Sequence, residues 1–211
     1  MTNEDKIAAL KGKHRGESVL ILGNGPSLRR NDFLRVPSEV TLFGTNRSWT
    51  EVQANYHAIS DRIHLEEIRQ RKWWPAFLFS GIPNWPDGLE GVRFSTTAFR
   101  SWHGRLSPVF SEDLRRGVSM GGTPFVALQI AAWMGFSEIF LAGIDLNVDL
   151  ETGSGHHYPG HQIPRQMKDE QTWNFAIAKE TLDRLRIRVV NLNPRSLLEV
   201  WPRVPFEEVF P

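Results

Sequence analysis

The sequence predicts an α/β fold: a doubly wound, mostly parallel sheet with helices on both faces, carrying a loop-rich aromatic insertion. Two observations predict it. Short runs rich in Val, Ile, Leu and Phe alternate with helical stretches along most of the 211 residues, as strand–helix units require. The first such run, Val19-Leu20-Ile21-Leu22, is apolar without alternation, as suits a strand buried on both faces, and it stops in Gly23-Asn24-Gly25-Pro26.

Residues 1–17 are polar and charged and read as a short helix or arm leading into that strand. The Gly-Asn-Gly turn lets the backbone bend sharply and a ligand come close, and Pro26 suits the first turn of a helix running to about Phe33. Strand, turn and helix start together predict an anion site, where free N–H groups and a helix dipole face one phosphate. A second strand is expected over 40–44, stopping at Thr45-Asn46-Arg47, and a third over 56–60, stopping at Ser60-Asp61. A polar helix over 65–71 and a fourth strand over 76–79 follow.

Residues 80–117 are broken up by Pro83, Trp85, Pro86, Gly88, Gly91, Trp102 and Gly104; they read as an insertion or lid, with a strand at 92–95. Met120-Gly121-Gly122-Thr123-Pro124 then opens a helix over 125–134, apolar nearly all round and therefore central, which Gly135 stops. A strand over 138–142 ends at Gly143-Ile144-Asp145. An amphipathic helix over 170–185 places Trp173, Ile177 and Leu182 on one face. A strand over 187–191 and a short helix over 196–200 close the chain.

The length suits one domain over 1–211 with a substantial core. The net charge of +1 gives no general pull toward nucleic acid or membrane, and the absence of cysteine excludes disulfides and thiolate metal sites. The charged N-terminus is not a signal peptide, and no apolar run approaches the roughly 20 residues that span a bilayer. A soluble, cytoplasmic protein is expected, with homo-oligomerisation left open.

In open parallel sheets, ligands bind beyond the carboxyl ends of the strands. There this chain places Asn24, Asn46, Ser60, Asp61 and Asp145, polar groups suited to a ribose, base or sugar. Gly121, Gly122 and Thr123, ahead of the apolar helix, form a second candidate anion cradle, or simply a helix cap. His156, His157 and His161 are the densest titratable cluster. They suit proton transfer, and Pro159-Gly160 works against helical metal-ligand spacing. Asp145 and Asp149 could hold magnesium with a nucleotide, although Asp145 reads better as a strand-end residue that orients a neighbour. Trp73, Trp74, Trp85 and Trp102 could form an aromatic platform for a sugar or base.

Five stretches, in order, carry a resemblance. They are Gly23-Asn24-Gly25-Pro26-Ser27-Leu28, the Asn46 strand end, the run from Gly135 through Gly143-Ile144-Asp145, His157-Tyr158-Pro159-Gly160-His161, and Asn193-Pro194-Arg195-Ser196-Leu197-Leu198. The set resembles the bacterial sialyltransferases of glycosyltransferase family 42. The glycine motif is shared with a broader group that includes 6-hydroxymethylpterin diphosphokinase-like proteins.

The resemblance implies a Rossmann-like nucleotide-binding fold and a CMP-linked sugar donor, with a glycan hydroxyl as acceptor and no required cofactor or catalytic metal. It implies that the turn residues Gly23, Asn24, Gly25 and Ser27 contact the donor phosphate or ribose, and that Asn46 faces the donor sugar and phosphate. It further implies that Thr123 touches the donor, that Asn193 and Ser196 sit by the cytidine, and that His161 is the general base, supported by His157 and Tyr158. Two positions depart from the family pattern: Asn147 stands where the family has a leaving-group tyrosine, and Asp61 where it has an asparagine. Two other functions fit the residues: a phosphotransferase using ATP and magnesium, and a nucleotide- or sugar-binding protein without catalysis.

Overall fold

The computed structural model describes residues 1–28, 30–71, 75, 77–81, 91–95, 99–102, 105–147, 155–156, 158 and 165–211. Nine strands are described: β1 (Ser18–Leu22), β2 (Thr41–Thr45), β3 (Tyr56–Ile59), β4 (Leu78–Ser80), β5 (Gly91–Arg93), β6 (Phe99–Trp102), β7 (Arg105–Pro108), β8 (Glu138–Ala142) and β9 (Arg188–Asn191). Five α-helices accompany them: α1 (Asn3–Leu10), α2 (Arg62–Arg71), α3 (Thr123–Met134), α4 (Arg165–Arg184) and α5 (Phe206–Val209).

Seven strands form one sheet in the order β5-β4-β3-β2-β1-β8-β9, and every pairing in it is parallel. The doubly wound sheet is therefore as expected. The chain walks outward from β1 to β5, then returns to place β8 on the other side of β1. That reversal beside β1 is a topological switch point, where a crevice opens above the carboxyl ends of the strands.

Because side chains alternate along a strand, each central strand feeds two cores. Val19 and Ile21 of β1, with Ile139 and Leu141 of β8, pack against α1, α3 and α4, through Ile7, Phe125, Leu128 and Phe175. Leu20, Leu22, Phe140 and Ala142 point to the opposite face, against Phe206 and Phe210 at α5. Farther along that face Ile59 and Leu78 meet Leu65 and Ile68 of α2. α3 is buried nearly all round and ends in left-handed Gly135, as its composition implied.

The structure corrects four local readings. No α-helix starts at Pro26; residues 26–27 form a turn, closed by the Leu28 N–H on the Gly25 carbonyl at 3.0 Å and tied to the Asp145 carboxylate through Ser27, and a 3-10 helix begins only at Arg30 (Arg30–Arg35). Residues 196–200 are not helical: the Leu197 N–H is given to the Asp145 carbonyl, which keeps the segment laid against the end of β8. On α4 the core face is Phe175, Ala178 and Leu182, while Trp173 is 43% exposed. Within the 80–117 segment, β5 joins the main sheet as its outer strand, and β6 with β7 forms a separate antiparallel pair. Trp73, Trp74 and Trp85 lie outside the described residues, as does the side chain of Trp102. Among the described residues, no helix is long and apolar enough to cross a membrane.

Candidate functional site

A cavity of about 280 Å³ opens at the carboxyl edge of the sheet. Of the residues picked out in sequence, Asn24, Gly25, Asn46, Ser60, Asp61, Gly122, Thr123 and Asp145 line it. They come from the ends of β1, β2, β3 and β8 and from the start of α3, so the sheet gathers what the sequence scatters over more than a hundred residues.

The β1 turn is not the open anion cradle that its glycines suggested. The N–H of Gly23 is given to the Ala142 carbonyl, that of Gly25 to the Gly143 carbonyl at 2.7 Å, and that of Leu28 to the Gly25 carbonyl. Ser27 donates both its N–H, at 2.8 Å, and its hydroxyl, at 2.5 Å, to the Asp145 carboxylate. The glycines are needed because the end of β8 comes close: a Cβ on Gly23 would overlap the Gly143 carbonyl, and one on Gly25 would lie 2.5 Å from Asp145 Oδ2. What approaches this turn is the neighbouring strand end.

Asp145 is the hub of that contact. It is buried, and its Oδ1 also accepts from Asn193 Nδ2 at 2.8 Å. The Ser196 hydroxyl donates to the Ile144 carbonyl at 2.8 Å, and Asn191 Nδ2 donates to the same carbonyl. Asn193 and Ser196 thus stand behind the cavity, holding the β8 end, and neither lines it. Asp145 orients its neighbours, as its place in the sequence suggested. Asp149, its proposed magnesium partner, lies outside the described residues. Among the described residues, no group of three or more His, Asp or Glu side chains could hold a metal ion.

The β2 and β3 ends are built differently. Asn24 Nδ2 donates to the Thr45 carbonyl at 3.0 Å, and the Thr45 hydroxyl donates to the Leu22 carbonyl, which stitches β1 to β2. Asn46 follows with φ 45°, in the left-handed region that asparagine tolerates better than most residues. Its carbonyl accepts from His57 Nε2 at 2.8 Å. His57 lies wholly buried in β3, and burial pulls its pKa down to about 4, against the raising effect of that hydrogen bond. It is therefore the neutral Nε2–H tautomer near pH 7. The Asn46 side chain donates from Nδ2 to Asp61 Oδ2 at 2.9 Å and accepts at Oδ1 from the Thr123 hydroxyl at 3.1 Å. Three chain segments, at 46, 61 and 123, are thereby locked into one wall.

Sequence reasoning missed several lining residues: His64, Met120, Pro124, Leu146, Gly155 and Gln171. His64 had a signal, since it stands three residues after Asp61, in the first turn of α2. His156, singled out only as part of the histidine cluster, lines the cavity as well. It stacks on Tyr158, with ring centroids 4.9 Å apart. The Tyr158 ring also meets the Arg47 guanidinium at 4.3 Å, and burial pushes its phenol up to about 12, so it stays protonated. Gly121 and Tyr158 are not among the lining residues, and His157 and His161 lie outside the described residues.

No protein-family model matches the sequence, and no curated protein matches it. Solved structures do resemble the fold. The sialyltransferase CstII from Campylobacter jejuni in complex with cytidine-5'-monophosphate aligns over 91% of this chain and 86% of its own, at 16% identity and a TM-score of 0.52. CstII in complex with the substrate analogue CMP-3FNeuAc aligns over 89% and 86%, at 16% identity and a TM-score of 0.50. A point variant of CstII with CMP aligns over the same shares, at 15% identity and a TM-score of 0.51. The likeness spans nearly the whole of both chains and is a likeness of fold.

Proposed function

We propose that this protein is a glycosyltransferase of the sialyltransferase-like kind, which takes a sugar from a nucleotide-activated donor, CMP-linked by preference, to a hydroxyl of a glycan. The observation that carries this reading is the convergence of Asn24, Asn46, Ser60, Asp61 and Thr123 on one cavity at the switch point of a doubly wound sheet. The full-length likeness in fold to CstII, which binds CMP, supports the choice of nucleotide.

In this reading the phosphate sits at the start of α3. There the first-turn N–H groups that remain beside Pro124, which has none, and the helix dipole favour negative charge, and charge grows on the phosphate as the sugar leaves. Preorganised donors at that point lower the barrier without a metal. His161, named by the resemblance, takes the proton of the acceptor hydroxyl; it must be neutral to do so. The magnesium-dependent phosphotransferase has less support, because Ser27 and Asn193 already occupy the Asp145 carboxylate. Loss of the family tyrosine at Asn147 favours a binding protein without catalysis as the second reading.

Calorimetry with CMP, UDP, GDP and ATP, in EDTA and in magnesium, tests the nucleotide. CMP is expected to bind in EDTA; binding of ATP only with magnesium would overturn the reading. Transfer from CMP-sugars then separates enzyme from binder. His161→Ala is expected to abolish transfer while CMP affinity holds, since a residue that acts mainly in the transition state contributes little to ground-state binding. Full transfer by His161→Ala would remove it from the mechanism.

A further inference from the structure

α4 brings to the cavity a side chain that no motif announces, Gln171. Two contacts fix where that helix stands. Asn174, one turn farther along and 8% exposed, donates from Nδ2 to the Gly121 carbonyl at 3.2 Å. Phe175, next to it, is sunk in the core that includes Phe125 and Leu128 of α3. α4 is thereby anchored to the loop that opens α3. Gln171 stands three residues before Asn174 and so lies on the same side of the helix.

The glycines of the loop permit this approach. A Cβ on Gly121 would lie 2.9 Å from Asn174 Nδ2 and 2.8 Å from the Phe125 ring. Gly122 has φ 94°, where other residues are strained, and the point at which its Cβ would stand is 3.7 Å from Gln171 Nε2. The Gln171 amide therefore lies beside the first turn of α3, on the cavity side. Several other polar side chains of the cavity are bonded to the protein itself. Asn46 and Thr123 bond to each other, Asn24 donates to Thr45, Asp145 accepts from Ser27 and Asn193, and Asn147 donates to the Arg195 carbonyl. The Gln171 amide carries two N–H donors and one acceptor, and it is bonded to none of the described residues.

We propose that Gln171 is a phosphate-binding residue, whose Nε2 donates to a phosphoryl oxygen of the nucleotide donor beside Gly122 and Thr123. The proposal rests on the nucleotide-sugar reading above. As the acceptor oxygen bonds to the sugar carbon, the bond from that carbon to the phosphate oxygen breaks, its electron pair stays on the phosphate, and the Nε2–H bond to it strengthens. Asn174 is a positioning residue, which holds the helix that bears Gln171 against the loop.

The test compares CMP with cytidine, which lacks only the phosphate, by calorimetry in EDTA. The ratio of the two affinities is read within each protein, so a general loss of affinity cancels. Gln171→Ala is expected to lower the ratio about tenfold, as loss of a hydrogen bond to a charged group does. Gln171→Glu keeps the size, removes the donor and adds a negative charge; it should lower the ratio further, by a margin that shrinks as salt is added. Asn174→Ala should lower it less than Gln171→Ala does, and the double variant no more than Gln171→Ala alone, because Asn174 acts through Gln171. Additive losses in the double variant would overturn the positioning role. In wild type the side-chain amide resonance of Gln171 is expected to move with CMP and far less with cytidine. A resonance unmoved by bound CMP overturns the proposal even if a variant fails to fold. An unchanged ratio in both Gln171 variants, with CMP still bound, overturns it alone and leaves the nucleotide reading standing. Failure of wild type to bind CMP at all overturns the nucleotide reading, and this proposal with it.

Discussion

The turn after β1 and the wall at the ends of β2 and β3 draw on the same residue types, small polar side chains and an aspartate at strand ends, and they spend them in opposite directions. In the β1 turn the N–H groups of Gly23, Gly25, Ser27 and Leu28 all go to protein acceptors, with Asp145 as the hub. At the wall, Asp61 and Thr123 are tied to Asn46 and keep acceptor capacity for a ligand. A glycine turn with an aspartate beside it can thus be scaffold, while a plainer set of Asn, Asp and Thr lines the cavity. What decides is where each hydrogen goes, and turn composition alone does not reveal that.

If this division is right, the turn carries stability and the wall carries recognition. The largest effect is expected from Asp145→Ala, which leaves three donors from Ser27 and Asn193 without an acceptor in a buried place. It should cost about 4 kcal/mol in urea unfolding. A loss below about 1 kcal/mol would mean that the turn does not depend on Asp145.

The next effect belongs to His57, which supports the wall through the Asn46 carbonyl. In the folded chain its pKa is about 4, and in the unfolded chain it returns to the ordinary 6.5. Between these values the unfolded state takes up the extra proton, so the His57 contribution is complete above 6.5 and is lost as pH falls through 4. Stability is expected to drop by about 3 kcal/mol over that window, and His57→Gln should flatten the fall. An unchanged pH profile in His57→Gln would assign the acid sensitivity elsewhere.

Smaller still, Gly25→Ala drives a Cβ toward Asp145 and the Gly143 carbonyl and should cost about 2 kcal/mol. Thr123→Val, on the wall, removes a single hydrogen bond to Asn46 and should cost about 1 kcal/mol, while changing ligand affinity more than Gly25→Ala does. The reverse ranking of the two in CMP calorimetry would break the comparison.

The parts of the fold set by hydrophobic pattern were legible in the sequence. The strands at 19–22 and 138–142 and the apolar helix around 125–134 stand close to where their composition placed them, because burial on both faces leaves a continuous apolar run. The strand-end rule also brought Asn24, Asn46, Ser60, Asp61 and Asp145 to one cavity. What composition could not give was partner choice. Pro26 and the residues after it fit a helix start in isolation, but a carboxylate 118 residues later holds the turn instead. Ser196-Leu197-Leu198 reads as helix until the Leu197 N–H finds the Asp145 carbonyl. His64 lacks a motif and enters the site at the first turn of α2, where only its spacing from Asp61 marks it.

The central claim is that a nucleotide phosphate is bound at the start of α3, beside the wall, with the β1 turn left intact as scaffold. A crystal structure with CMP bound tests it most directly. The expected result puts the phosphate against Gly122 and Thr123, with Ser27 still bonded to Asp145. A phosphate seated on the amides of residues 23–28, with the Asp145 carboxylate displaced, would contradict it.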